Sequence, residues 1–488
     1  MDNRIYKILS ATGIPALDSA LSDVENYQIV GTCAIKSEIK VKIEELEPQI
    51  VLLSDKLSGE ENLIKLIIEL KRIYPYVRFI YLAGNLNPRD TARVDMLGTL
   101  VLSGVYDILI SQKINIDIVT DVIERPIAES SVRYLTKNLL SSKSEIDNAI
   151  DGLQYEDYSD NDENESIVIP NVFIFSSVKP GTGKSFVSVN TACAIAKYGK
   201  NKPRVAMIEA DLQTLSVGTL LAIKEDENKN MKVAMQAISS LFDKGNIVAN
   251  DEKIKKVNKE IRDCFVKYKD IPNLSVLVGS SMTPEEVDAL KMKPEYYTYL
   301  LETIKNDFDI IIIDTNSSIF HVTSFPLMQR AKACYYILNL DFNNVRNNVR
   351  YKNTLKSLGI QNKIKYVLNE DIDNDKEYNV FGVDVEELYF TSEQIEKNYF
   401  KLTAKIPILF KTVFLNRLYE GTPVVLDSDS ISYTNRIKYA IMTIANGIYP
   451  LNDSYEKLQK KLFAKKASFF DRFKKKKKTK VVEEETNE

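Results

Sequence analysis

The segment that most constrains this chain lies near its middle, at Asn171–Tyr198, NVFIFSSVKPGTGKSFVSVNTACAIAKY. An apolar strand, Val172–Phe175, runs into KPGTGKS and then into small and apolar residues suited to a helix. A tight loop at a helix N-terminus gathers main-chain N–H groups into a concave donor site for phosphate oxygens. Gly181 and Gly183 allow close backbone approach, Lys184 would neutralise the β- and γ-phosphates, and Ser185 would ligate magnesium. Pro180, Thr182 and Phe186 fill out the candidate contact surface.

The common pattern G-x-x-x-x-G-K-[ST] asks for a glycine five residues before Gly183, and Val178 stands there instead. A lysine, Lys179, opens the loop. Pro180 follows it, with no N–H and a fixed φ, so one possible phosphate donor is lost and the loop is stiffened. Downstream, Arg204–Ile208 reads as a strand ending in Glu209-Ala210-Asp211. Phe308–Asp314, FDIIIID, reads as a buried strand with a terminal carboxylate suited to holding magnesium through a water.

These motifs in this order resemble the deviant Walker A ATPases of the MinD/ParA superfamily, over about residues 167–449. The resemblance implies a P-loop NTPase domain with a mainly parallel central sheet, ATP and Mg2+ as ligands, and a homodimer bridged by ATP. By that resemblance Lys179 reaches the partner's phosphates, and Lys179, Lys184 and Asp211 carry the hydrolytic chemistry. Ser185, Asp211 and Asp314 surround the metal, and Glu209 replaces the first acid of its motif. Asn369, after the strand Tyr366–Leu368, and Pro407 border the adenine. Pro180 replaces a family glycine and bears on the rate of hydrolysis.

The first part of the chain alternates short apolar runs with helix-period segments. Strands are expected at Ile5–Leu9, Ile50–Leu53, Val77–Leu82 and Tyr106–Ile110, with helices at Ile14–Leu21, Glu61–Arg72 and near Asn115–Ile123. That alternation predicts a parallel sheet covered on both faces. It resembles a response-regulator receiver (flavodoxin-like) domain, yet Ser54 stands where the phospho-accepting aspartate belongs, with Asp55 one step later. Ser10-Ala11-Thr12 lacks the acidic pair, and Ser111 replaces the lysine. A phosphoryl acceptor needs a carboxylate held near magnesium, so a docking or dimerisation module is the better reading. Tyr155–Ser166, with six carboxylates and no aliphatic residue, reads as a linker. The expected layout is α/β throughout: 1–128 receiver-like, 129–166 linker, 167–450 ATPase, 451–488 basic tail.

In the tail, Lys457–Lys480, Leu458, Leu462, Phe469 and Phe473 fall within about 60° of one another on a helix. With its lysine run this reads as an amphipathic helix for an anionic membrane surface, set against a solubilising tail or a helix docked on the ATPase. No run reaches the length of a membrane span and the N-terminus has no signal-peptide core, so a cytoplasmic protein, peripheral on the inner membrane face, is expected. Four dispersed cysteines and a single histidine, His321, count against disulfide scaffolds and multi-histidine metal sites.

A degenerate receiver fused to this ATPase resembles the TadZ/CpaE branch, which implies localisation or assembly of Flp/Tad-type pili and secretion machines, with their components as partners of the receiver-like domain. Two other readings stay open: a catalytically weak nucleotide-binding scaffold, and a ParA-like DNA-partitioning ATPase. The formal charge of -3 counts against bulk electrostatic DNA binding, though Arg346 and Arg350 offer a local patch.

Overall fold

The computed structural model describes residues 5–87, 90–111, 113–136, 167–211, 215–243, 246–280, 293–317, 324–372, 390–428 and 432–463. Its first unit alternates β1 (Tyr6–Ala11), α1 (Pro15–Ser22), β2 (Tyr27–Thr32), α2 (Glu38–Leu46), β3 (Ile50–Ser54), α3 (Leu63–Ile73), β4 (Arg78–Gly84), α4 (Thr91–Leu102), β5 (Ile108–Ile110) and α5 (Ile116–Glu124). All strand pairs are parallel, in the order 2-1-3-4-5, the flavodoxin-like winding. Every residue of β3 is buried, as a strand covered on both faces requires. Side-chain oxygens of Asn62, Asp90 and Asn115 accept from the first free amides of α3, α4 and α5, which fixes where those helices begin. A short helix, α6 (Glu129–Val132), and a 3-10 turn follow; their Val132 and Leu135 enter the same core.

The Asp55 carboxylate accepts the Tyr81 phenol at 2.6 Å and pairs with Arg93. A guanidinium and a phenol therefore sit at the carboxylate, while Ser10 and Thr12 turn to Asp18.

The second unit is built from β6 (Ile169–Ser176), α7 (Lys184–Tyr198), β7 (Val205–Glu209), α8 (Val217–Leu220), α9 (Met231–Ser239), the two-residue strands β8 (Phe242–Asp243) and β9 (Asn246–Ile247), α10 (Asp251–Asp263), β10 (Val266–Tyr268) and β11 (Ile271–Leu277). It continues with α11 (Pro294–Ile304), β12 (Ile310–Asp314), α12 (Ser324–Arg330), β13 (Ala331–Leu338), α13 (Phe342–Ser357), β14 (Ile364–Asp371), α14 (Ser392–Asn398), β15 (Leu402–Pro407), α15 (Lys411–Glu420), α16 (Ser432–Ile448) and α17 (Asp453–Phe463). Its eight-stranded sheet runs β10-β11-β7-β12-β6-β13-β14-β15, parallel except for the β10–β11 edge. β6 is central, flanked by β12 and β13. The loop after β6 therefore opens beside the ends of its neighbours, where parallel α/β sheets bind ligands.

The sequence reading places Leu458 and Leu462 on the apolar arc of an amphipathic helix. In the structure Leu458 is buried in the core beneath α16 and Leu462 packs against it. Tyr455 stacks on Tyr439 with ring centroids 5.5 Å apart. The docked-helix alternative holds for this stretch, because an apolar arc lowers its energy equally well against protein. Phe469, Phe473 and the lysine run lie outside the described residues, as do the linker Tyr155–Ser166 and His321.

Candidate functional site

The loop between β6 and α7 keeps its shape through two glycines with positive φ, Gly181 at 83° and Gly183 at 85°. At Gly183 a Cβ would lie 2.2 Å from the Asn369 amide nitrogen, so a side chain there would collide with β14. Asn369 is buried, and its amide donates to the Thr182 carbonyl at 2.9 Å. It thereby ties the loop to the strand two places across the sheet. Val178, which replaces the pattern's glycine, packs against the hydrophobic core below the loop. That position is used for packing here.

Lys184, the first residue of α7, lies between two acids. Its ammonium is 3.3 Å from Asp314 and 3.8 Å from Asp211, and all three side chains are buried. Ser185 donates its hydroxyl to the other Asp314 oxygen at 2.6 Å. Asn316, two residues beyond Asp314, donates to Asp211 at 3.2 Å. Burial raises the Asp314 pKa, and Lys184 and the Ser185 hydroxyl pull against that rise.

Glu209 has a different task from its motif neighbour. It is buried and accepts the amides of Ser216 at 2.5 Å, Val217 at 2.7 Å and Gly279 at 2.8 Å. Burial raises its pKa while those three amides stabilise the anion. The carboxylate ties the loop after β11 to the Leu215–Ser216 loop, which lines one wall of the cleft.

Pro180, Gly181, Gly183, Lys184, Ser185 and Phe186 line a cleft of about 900 Å³, joined from the far side by Asn369 and Pro407. Phe186 meets Phe414 of α15 edge-on at 6.1 Å, and Phe410 lies on the same rim, so apolar surface adjoins the cation. Thr182 is buried with a hydroxyl that has no hydrogen-bond partner. Lys179 points elsewhere: it forms an ion pair with Asp341, the N-cap of α13. Sequence reasoning missed Asn316 and Asp341. Asn316 lies close enough to Asp314 to be considered from sequence; Asp341 has no local signal.

The donor set fits a magnesium nucleotide. Magnesium takes one or two carboxylates, retains waters and shares its ligand with phosphate oxygens. Asp314, Ser185 and Asp211 offer that set, and the described residues contain no cage of three or more His, Cys, Asp or Glu side chains.

Residues 171–348 match a family model described as an AAA domain. The septum site-determining protein MinD of Thermotoga maritima is 26% identical over 149 residues, 30% of this chain and 45% of that protein. MinD of Synechocystis sp. is 28% identical over 149 residues, 30% and 46% respectively. The chain therefore spans less than half the length of these curated relatives. A ParA family ATPase from Chlorobium tepidum TLS superposes with a TM-score of 0.43 at 18% identity, over 57% of this chain and 98% of that one. The glycine loop between the central strand β6 and the N-terminus of α7, in a mainly parallel sheet, gives the second unit a P-loop NTPase fold. Over the matched stretch its sequence is similar to these MinD proteins.

Proposed function

We propose that the chain is an ATP-dependent dimerising switch of the MinD/ParA kind. The observation that carries this reading is the Lys184–Asp314–Ser185 arrangement at the head of α7, beneath a glycine loop and beside an aromatic-rimmed cleft. Ser185, Asp211 and Asp314 would hold Mg2+, which supplies charge neutralisation at the phosphates. Lys184 would turn from the two carboxylates to the β- and γ-phosphates, and Asp211, held by Asn316, would lie beside the attacking water. Lys179 would leave Asp341 for the phosphates of a second copy. Asn369 and Pro407 would border the base, with Phe186 and Phe410 against its faces.

In the finer reading the switch belongs to the TadZ/CpaE branch and positions or assembles a cell-envelope machine, a Flp/Tad-type pilus or secretion system. The support is a receiver-like fold whose acidic position is engaged by Tyr81 and Arg93, joined to a MinD/ParA-type domain. Its receiver-like unit would be the partner-docking module, and the lysine-rich tail would meet an anionic membrane face. Among the described residues no helix is long and apolar enough to cross a membrane.

Light scattering of the full chain with Mg-ATP, alone and as Lys184→Ala, tests the switch. ATP should double the mass of the wild type and leave the variant monomeric; an unchanged wild-type mass contradicts the reading. Pull-down of pilus components by the receiver-like unit tests the finer part.

A further inference from the structure

Where α3 of the receiver-like unit meets α11 and α12, positive charge collects without a counter-ion. Arg330, the last residue of α12, is 5% exposed. Its Nη2 donates to the Arg72 carbonyl at 3.3 Å and its Nε to the Thr298 hydroxyl at 3.4 Å. Among the described residues its Nη1 has no hydrogen bond and no carboxylate pairs with the guanidinium. Arg72, in the last turn of α3, is half-buried; its Nε is buried without a hydrogen-bond partner, and it makes no ion pair either. The two arginines line one small cavity between α3, α11 and α12. Beside them the Lys363 ammonium donates to the carbonyl of Gln329, the residue before Arg330, at 2.7 Å and meets no carboxylate.

The acids around this seam are engaged elsewhere. Glu295 receives the Lys71 ammonium at 2.7 Å, Glu302 that of Lys305 at 2.6 Å, and Asp309 the Arg204 guanidinium at 3.0 Å. Carbonyls at the ends of α3 and α12 supply only partial negative charge. A cation taken out of water calls for a full opposite charge, and here an anion would provide it. The room lies alongside. Arg330 also lines a groove of about 980 Å³ whose two banks come from the two units. Tyr74, Pro75 and Tyr76 form one bank, and Pro170 and Phe308 the other. Ring contacts with Phe242 at 6.0 Å and Tyr299 at 6.5 Å fix Tyr76, and Phe265 at 5.3 Å fixes Phe308. The planar fork of an arginine matches two phosphate oxygens, and aromatic rings suit a flat apolar body. Inorganic phosphate alone would leave most of the groove unfilled, whereas ligand pockets enclose most of a ligand's surface.

We propose that this seam is a second ligand site, for a small organic phosphate. Its phosphate meets the Arg330 guanidinium, and its apolar body lies between Tyr76 and Phe308. Arg72 and Lys363 add attraction at longer range. Arg72 belongs to the receiver-like unit, and Arg330 and Lys363 to the nucleotide-binding unit, so the bound anion braces one unit against the other. The groove shares no lining residue with the cleft at the glycine loop, and the inference does not depend on the switch reading.

Calorimetric titration of the full chain with phenyl phosphate, inorganic phosphate and phenol tests it. The wild type should bind phenyl phosphate, inorganic phosphate about tenfold more weakly, and phenol not at all. Arg330→Met should weaken phenyl phosphate about tenfold, the size of one hydrogen bond to a charged group. Lys363→Met, outside the packing between the units, should weaken it about threefold, as the loss of a screened charge does. Lys184→Ala should leave it unchanged, because that lysine belongs to the other cleft. In phosphate-free buffer Arg330→Met should melt no lower than the wild type, since it removes a buried charge that has no counter-ion. Adding phenyl phosphate should raise the melting point of the wild type and not of Arg330→Met. No binding by the wild type, equal binding by Arg330→Met and Lys363→Met, or a markedly lower phosphate-free melting point of Arg330→Met overturns the proposal. Binding lost on Lys184→Ala alone overturns it as well, because the phosphate then sits at the glycine loop.

Discussion

Lys179 and Asp341 form an ion pair within one chain, joining the first residue of the phosphate loop to the N-cap of α13 across the top of the sheet. The two side chains are 44% and 34% exposed, so water screens the pair and it adds little to stability. It does set a competition: in the switch reading, dimerisation must draw Lys179 away. Asp341→Asn keeps an oxygen for the cap bond from Asn343, which is 2.9 Å long, and removes the charge. We expect a melting temperature within about a degree of wild type and an ATP concentration for half-dimerisation lowered about threefold, the equivalent of an exposed pair. Sedimentation across an ATP series measures it; a raised midpoint would show that Asp341 assists the dimer.

Removing the other lysine should behave differently. Lys184 lies between Asp314 and Asp211, all three nearly inaccessible. Lys184→Ala leaves buried carboxylates without their cation, a loss of about 3 kcal/mol at neutral pH. Burial already raises Asp314 in the folded protein, and an acid with a raised folded pKa binds more protons folded than unfolded. Stability of the variant must then fall as pH rises through that pKa and recover on acidification. Urea titrations at pH 5 and pH 7 should show the deficit shrinking at the lower pH; a constant deficit would mean that Asp314 stays ionised.

Glu209 gathers three amides from two loops, and only a side chain of its length does so from the end of β7. Glu209→Asp withdraws the carboxylate by one methylene and leaves buried N–H groups unpaired, at about 1–3 kcal/mol for each group lost. Leu215 and Ser216 line the cleft, so nucleotide affinity should weaken along with the melting point. Fluorescent-nucleotide titration and thermal unfolding read the two effects; full affinity at a lowered melting point would separate the clamp from the site.

Lys363 is a probe of the fold far from the nucleotide. Burial lowers its pKa to about 8, helped by nearby Arg72, Arg330 and Lys332 and opposed by Cys334, while its amine donates to the Gln329 carbonyl at 2.7 Å. A base with a lowered folded pKa binds fewer protons folded than unfolded. The wild type should therefore gain stability from about pH 8 to pH 10 relative to Lys363→Met, by about 2 kcal/mol. Parallel denaturation curves for the two proteins across that range would contradict the assignment.

The parts of the fold that sequence foretells are those whose cause is local. IVLLS at β3, VAMIE at β7 and IIIID at β12 are strands buried throughout, and an unbroken apolar run betrays them. The glycine loop is legible because positive φ and close approach demand glycine at specific places. β2 and α2 go unread: β2 is an edge strand with mixed exposure, and EIKVKIEEL carries charge around most of its circumference. Asp341 reaches Lys179 across the top of the sheet, and nothing in its sequence neighbours foretells it. Leu458 and Leu462 show the limit of periodicity, which reveals an apolar face but not what covers it.

Calorimetric titration of the full chain with Mg-ATP tests the central claim most directly. The cleft, the lysine between two acids and the glycine loop predict one saturable site per chain, abolished by Lys184→Ala and weakened when magnesium is withdrawn. No binding by the wild type, or binding that Lys184→Ala leaves intact, would contradict it.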